Sequence, residues 1–326
     1  IDPNHFDSIN LLANISATNQ NYKKAKDLLF KAIEIQPKNV TILNNLGTAC
    51  KELGEFKEAI KFYEKTIAIN PKHINAHYNL GVVFYSLKDL KKSKSYLQKT
   101  VEMQNNFALA FFSLGNVHVD LKEFENAVSC YQKAIEINPY LLGAHNNLGL
   151  VFRILNDFKN AINSYKNTIK IKYDHVGAHH NLALAFKELG EFEKAIESHQ
   201  KAIKYEPENS VHYYYLSELK KDILDSSLKE KIKKIILNDK SSKSNKAYGN
   251  YLLSKYENKA KNYEKELDYL IKGHQDFFES KKEKFNLGVK YCFEDVMQIA
   301  EGGNIESTLH DNYEVKPIFI IGVPRS

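Results

Sequence analysis

Prolines at positions 3, 37, 71, 139 and 207 fall on one lattice with a spacing of 34 residues, and Asn105 and Tyr173 occupy its two remaining points. A fixed period of this length constrains the fold more than any other feature of the chain. Each unit is one supersecondary hairpin that cannot bury its apolar face alone, so it must stack on its neighbours. Between the lattice points a second signature recurs: LNNLG at Leu43–Gly47, HYNLG at His77–Gly81, FFSLG at Phe111–Gly115, HNNLG at His145–Gly149 and HHNLA at His179–Ala183. Twelve residues on comes a small side chain, Ala59, Ser93, Ala127, Ala161 or Ala195, and four later a large one, Tyr63, Leu97, Tyr131, Tyr165 or His199. The small residues let two helices approach closely and the large one fills the space between hairpins. Gly54 and Gly190 suit a left-handed turn between helices, and the lattice prolines stop the second helix of each unit.

This pattern resembles the tetratricopeptide repeat family over residues 6–209, as six full repeats. The resemblance implies an all-α fold, a right-handed superhelix of helical hairpins with a concave groove. Residues 1–5 resemble the tail of a preceding repeat, so the chain is expected to start inside the array. Asn105 and Tyr173 in place of proline, and Leu97 in place of an aromatic residue, are expected to loosen packing locally without changing the fold.

The residue before each Leu-Gly or Leu-Ala pair is Asn45, Asn79, Ser113, Asn147 or Asn181, with Tyr215 at the same place in a partial seventh unit. Asn45, Asn79, Asn147 and Asn181 would form a ladder on the concave side. A carboxamide offers a donor and an acceptor, so such a ladder pairs with an extended peptide backbone without demanding particular side chains. Similar asparagine ladders grip protein substrates in the repeat arrays of O-linked N-acetylglucosamine transferases, and the resemblance implies the same use here. The alternative is that the Asn-Leu-Gly triplet is filler of this repeat class. His77, His145, His179, His180 and His199 recur because the repeat recurs; with no second ligand at i+4, packing or groove polarity accounts for them and no metal is expected.

From residue 210 to residue 304 the 34-residue signature fades into a partial seventh repeat and a helical capping and connecting segment. Leu216–Leu237 is expected to be one amphipathic helix, Tyr248–Tyr256 with Tyr263–Phe278 a degenerate hairpin, and Phe285–Ala300 a further helix. Residues 305–315 are polar and predict a linker.

Ile318–Ile321 are four β-favouring residues between Pro317 and Gly322. Such a run predicts a buried strand leading into a phosphate-type loop. Residues 316–326 resemble the start of the sulfotransferase fold, whose loop has the form G-x-P-R-S-G-T-T, and Gly322, Val323, Pro324, Arg325 and Ser326 match the Gly-Val-Pro-Arg-Ser of tyrosylprotein sulfotransferases. The resemblance implies that these five residues contact the cofactor 3′-phosphoadenosine-5′-phosphosulfate (PAPS), and that the parent protein moves a sulfuryl group from it to an acceptor presented by the repeat groove. The catalytic base would lie beyond Ser326, so the chain to Ser326 is expected to bind peptide or protein without catalysis. Two other readings stand beside this one: a scaffold with no enzymatic role, and a Walker A loop, whose first five positions the same residues would satisfy.

The formal charge of +6 comes mainly from dispersed Lys, which argues against nucleic acid as a partner. Cys50, Cys130 and Cys292 are odd in number and far apart, so neither a disulfide framework nor a zinc site is expected, and reduced, cytoplasmic surroundings fit. No apolar run approaches the ~20 residues of a membrane-spanning helix.

Overall fold

The computed structural model describes residues 5–281. Six helical hairpins follow one another: α1 (Phe6–Thr18) with α2 (Tyr22–Ile35), α3 (Val40–Glu52) with α4 (Phe56–Ile69), α5 (Ile74–Ser86) with α6 (Leu90–Met103), α7 (Ala108–Asp120) with α8 (Phe124–Ile137), α9 (Leu142–Ile154) with α10 (Phe158–Ile171), and α11 (Val176–Glu188) with α12 (Phe192–Tyr205). Then come α13 (Ser210–Leu219), a 3-10 turn (Lys221–Ile223), α14 (Ser226–Leu237), α15 (Lys243–Lys259) and α16 (residues 263–281). Among the described residues there is no strand. The strand expected over 318–321, the loop Gly322, Val323, Pro324, Arg325 and Ser326, the linker over 305–315 and the helix expected over 285–300 lie outside the described residues.

From α1 to α13 each helix packs on the next, α13 and α14 both pack on α15, and the first helices of adjacent hairpins also touch, α3 on α5, α5 on α7, α7 on α9 and α9 on α11. The first helices therefore make one continuous inner layer. Its spacing follows from the small residues: Ala59, Ser93, Ala127, Ala161 and Ala195 have no exposed surface. Tyr63, Tyr131 and Tyr165 are equally buried, each laid flat on the glycine of its own hairpin. A Cβ on Gly47 would stand 2.5 Å from Cε1 of Tyr63, so the ring and the glycine require each other.

Every hairpin turns through one left-handed residue: Gln20, Gly54, Lys88, Asn156, Lys122 and Gly190, all with φ between 58° and 76°. Glycine adopts this conformation without strain, whereas a side chain costs about 1–2 kcal/mol there. Glycine stands at two of the six places, and the packed helices hold the other four.

The second helices end at the same lattice point whether or not proline is there. α6 stops at Met103 before Gln104 and Asn105, and α10 at Ile171 before Lys172 and Tyr173, just as α4 stops at Ile69 before Asn70 and Pro71. The start of the next hairpin fixes the break. At that start His5, Asn39, His73, His175 and Asn209 occupy one lattice position, and each accepts a hydrogen bond from a backbone N–H of the helix it caps.

The single helix expected over Leu216–Leu237 is instead two. α13 begins earlier, at Ser210 behind the cap Asn209, and closes at Leu219; α14 restarts where Asp225 accepts from the N–H of Leu228 at 2.7 Å. Asp225 sits at the right distance before the apolar stripe Leu228, Ile232 and Ile235 to be a helix start, and its carboxylate competes with continued helix. This stripe packs with Leu252, Leu253 and Tyr256 of α15 into a core of its own.

Candidate functional site

The inner layer carries the asparagines. Asn45, Asn79, Asn147 and Asn181 lie on α3, α5, α9 and α11, with Ser113 on α7 at the same register, and all five are half-buried. Three of the four carboxamides reach the neighbouring repeat: the Asn45 amide donates to Oδ1 of Asn14 at 3.4 Å, that of Asn79 to Asn44 at 3.5 Å, and that of Asn147 to Asn116 at 2.9 Å. These three rungs are thus tied across the repeat junctions to asparagines outside the ladder, Asn14, Asn44 and Asn116. Each of these amides keeps a second N–H, and the Asn147 oxygen already accepts from Asn146 at 3.3 Å, so the ladder retains both donor and acceptor capacity for a peptide backbone. Between the first two hairpins a cleft of about 320 Å³ is lined by Asn14, Tyr22, Leu29, Asn45 and Thr48, among others.

Toward the C-terminal end the same layer turns aromatic. Tyr214 and Tyr215 on α13 meet Tyr248 on α15 with ring centroids 5.3 and 6.0 Å apart. Tyr248 continues to Tyr251 at 5.9 Å and to Phe277 of α16 at 6.4 Å. The Lys255 ammonium sits 4.0 Å from the Tyr214 ring centroid and donates to Oγ of Ser217 at 2.9 Å. Burial lowers the pKa of Lys255 and pushes the Tyr214 phenol up to about 12, so the phenol stays neutral at ordinary pH. Sequence reasoning found Tyr215 in this wall through its register but missed the rest: Tyr248 stands one period after Tyr214, but neither is a signature position, and Tyr251 and Phe277 lie where the signature has faded.

The histidines divide into two sets. His77, His145 and His179 share a position, and Nε2 of each lies 2.8–2.9 Å from a backbone carbonyl six residues back, that of Pro71, Pro139 or Tyr173. Tyr213 takes the same place in the next unit and donates to the carbonyl of Pro207 at 3.1 Å. These side chains brace the link between hairpins. His180 and His199 belong to neither that position nor that role; their rings lie 5.5 Å apart, and His180 lies 5.3 Å from His212, a residue that sequence reasoning did not single out.

Ion pairs repeat with the fold as well. Lys26 binds Glu55 and Lys94 binds Glu123 across 29 residues in each case, and His118 also contacts Glu123 at 2.5 Å. Hydrogen bonds from Lys94 and His118 hold the Glu123 carboxyl down to about 2. Cys50 and Cys130 are free, and burial raises both thiols to about 11, far from the reactive thiolate range. No helix among the described residues is long and apolar enough to cross a membrane.

Family profiles described as TPR repeat match residues 47–88 and 149–190, and profiles described as tetratricopeptide repeat match 6–39, 28–61, 74–107, 108–141 and 176–209. Together they span 6–141 and 149–209. Among solved structures, a crystal structure of MamA protein is 27% identical over 52% of this chain and 92% of its own, with a TM-score of 0.49. YrrB, described as a TPR protein with an unusual peptide-binding site, is 22% identical over 57% of this chain and 96% of its own, with a TM-score of 0.51. PilF of Pseudomonas aeruginosa is 17% identical over 65% of this chain and 97% of its own, with a TM-score of 0.59. No curated protein matches the chain at a significant level.

Proposed function

Because the chain belongs to the tetratricopeptide repeat family, we propose that its inner layer binds an extended peptide or protein segment. The observation that carries this reading is the placement of Asn45, Asn79, Asn147 and Asn181 at one register of adjoining first helices, half-buried rather than consumed in the core. The bound segment pairs its backbone N–H and C=O groups with the carboxamide oxygens and N–H groups, and the Tyr214, Tyr215 and Tyr248 rings receive an apolar or aromatic residue at one end. YrrB, whose description gives it a peptide-binding site, shares the fold and is consistent with this use. Free Cys50 and Cys130 favour a reducing, cytoplasmic setting.

The test is selection of peptides from a random display library on the chain, followed by replacement of the four asparagines with alanine. At about 0.5–1.5 kcal/mol for each hydrogen bond, the loss is expected to be at least ~30-fold in Kd, with helicity unchanged. Affinity that survives the fourfold replacement refutes the role of the ladder. Ser113→Asn, which completes the missing rung, is expected to tighten binding.

A finer reading is favoured by the resemblance of residues 316–326 to the opening of a sulfotransferase domain. In it, Gly322, Val323, Pro324, Arg325 and Ser326 contact the phosphosulfate of PAPS, and the array presents the peptide whose hydroxyl accepts the sulfuryl group. Catalysis would then rest on positioning and on positive charge at the leaving phosphate. Calorimetry with 3′-phosphoadenosine-5′-phosphate, using protein that carries a whole domain of this kind, tests it: binding abolished by Arg325→Ala supports the assignment, and binding indifferent to Arg325 refutes it.

A further inference from the structure

His180 of α11, His199 of α12 and His212 of α13 bring one ring nitrogen each to within 4.8 Å of one another. His199 has no exposed surface, His212 is 4% exposed, and His180 is half-buried. Five of their six ring nitrogens, Nδ1 of His180 and both nitrogens of His199 and His212, are buried with no hydrogen-bond partner in the protein. Buried polar groups are ordinarily paired, and each one left without a partner is a cost that needs an explanation.

The repeat itself supplies the comparison that shows these residues to be unusual. At the place of His199 the earlier repeats carry Leu29, Tyr63, Leu97, Tyr131 and Tyr165; at the place of His212 they carry Ser8, Ile42, Ala76, Ala110, Ala144 and Ala178. A hairpin of this type therefore packs well without either imidazole. A companion change is also present: where the four preceding units have Gly47, Gly81, Gly115 and Gly149 beneath the large side chain, this one has Ala183, as the first unit has Ala13 beneath Leu29, and in both the side chain above is smaller than tyrosine. His199 and His212 depart from what the period places there, and with His180, at a position that varies between repeats, they bring three successive helices to one point.

We propose that His180, His199 and His212 form a binding site for a divalent transition metal of the zinc class, which ties the last full repeat to the segment that follows it. Tetrahedral coordination with metal–nitrogen bonds of about 2.0–2.1 Å sets neighbouring ligand nitrogens about 3.3 Å apart. Small rotations of the rings close the distance from the observed spread. Burial, the largest influence on each, lowers the pKa of His180 to about 4 and of His199 to about 3, and lowers that of His212 too. All three are neutral near pH 7, the state in which imidazole binds metal.

The charged groups around the cluster narrow the choice of ion. Glu206 is the acidic neighbour, with Oε2 3.6 Å from Nε2 of His212. Arg153 and Lys187 are the basic ones. Their positive charge works against any ion held by electrostatics alone, which disfavours Mg²⁺ and Ca²⁺, ions that in any case prefer oxygen ligands. A metal with strong affinity for imidazole nitrogen, such as Zn²⁺, fits the donor set.

The experiment uses the full chain, stripped with chelator and titrated with Co²⁺ as a spectroscopic stand-in and then with Zn²⁺. The expected result is saturable uptake of one equivalent, with the visible absorption of a four-coordinate imidazole–cobalt centre that Zn²⁺ displaces, and a rise in Tm with added metal. His212→Ala, which restores the residue of four earlier repeats, and His180→Asn, which restores Asn146, are each expected to keep the helical signal. Each should weaken uptake on the order of 100-fold, while His77→Asn leaves it unchanged. Absence of uptake by the parent chain, or uptake that persists in both His212→Ala and His180→Asn, overturns the proposal.

Discussion

Gly47→Ala puts the packing rule of this fold to a direct test. Gly47 lies inside α3, where alanine would ordinarily add about 1 kcal/mol of stability through helix propensity. Here the new Cβ would fall 2.5, 2.7 and 2.9 Å from Cε1, Cδ1 and Cζ of Tyr63. The Tyr63 ring has no exposed surface, and its hydroxyl donates to Oγ1 of Thr48 at 3.2 Å, so it cannot swing away without breaking a contact. Overpacking of this kind costs about 1–3 kcal/mol. Set against the propensity gain, and with the clash at three ring atoms placing it in the upper part of that range, the net change is a loss of about 1–2 kcal/mol. Urea denaturation followed by far-ultraviolet circular dichroism reads it as a lower midpoint at constant slope. The reverse substitution at the same lattice position, Ala183→Gly, should also destabilise, by about 1 kcal/mol, because His199 leaves no clash there to relieve. A Gly47→Ala protein as stable as the parent, or an Ala183→Gly protein more stable than it, would refute the argument.

Lys88→Gly and Lys122→Gly, at turn residues with φ of 62° and 61°, should each stabilise by about 0.5–1 kcal/mol in the same assay. Below pH 6.5 the unfolded chain protonates its histidines, whereas His180 and His199, held to about 4 and about 3, stay neutral in the fold. Their contribution is therefore whole above pH 6.5 and is lost as pH falls toward 3, on the order of a few kcal/mol. His199→Tyr with Ala183→Gly, which restores the tyrosine–glycine pair of three other repeats, should flatten that part of the stability profile in chelator-treated protein. Glu123, held to about 2, stabilises above its unfolded value near 4.5 and loses this as pH falls through about 2; Glu123→Gln should remove that acid-limb dependence while leaving the Lys26–Glu55 junction intact.

The period of 34 residues determined the hairpins, the close approaches at Ala59, Ala127, Ala161 and Ala195, the aromatic fillers and the inner register of the asparagines, because each is a local consequence of which residue recurs where. It even located the turns, although Gly54 and Gly190 marked only two of the six, and it overrated the prolines, since α6 and α10 end on schedule without them. Past Ser210 the period faded and sequence reasoning faltered: Leu216–Leu237 showed one apolar stripe where the capping carboxylate of Asp225 starts a second helix. Only the tertiary structure decided how the carboxamides pair across repeats, that Tyr214, Tyr248 and Phe277 form one wall, and that His180, His199 and His212 meet. Those relations join side chains of different helices, and even where two of them stand one period apart, as Tyr214 and Tyr248 do, the period does not say which side chains touch, so they exist only once the hairpins have stacked.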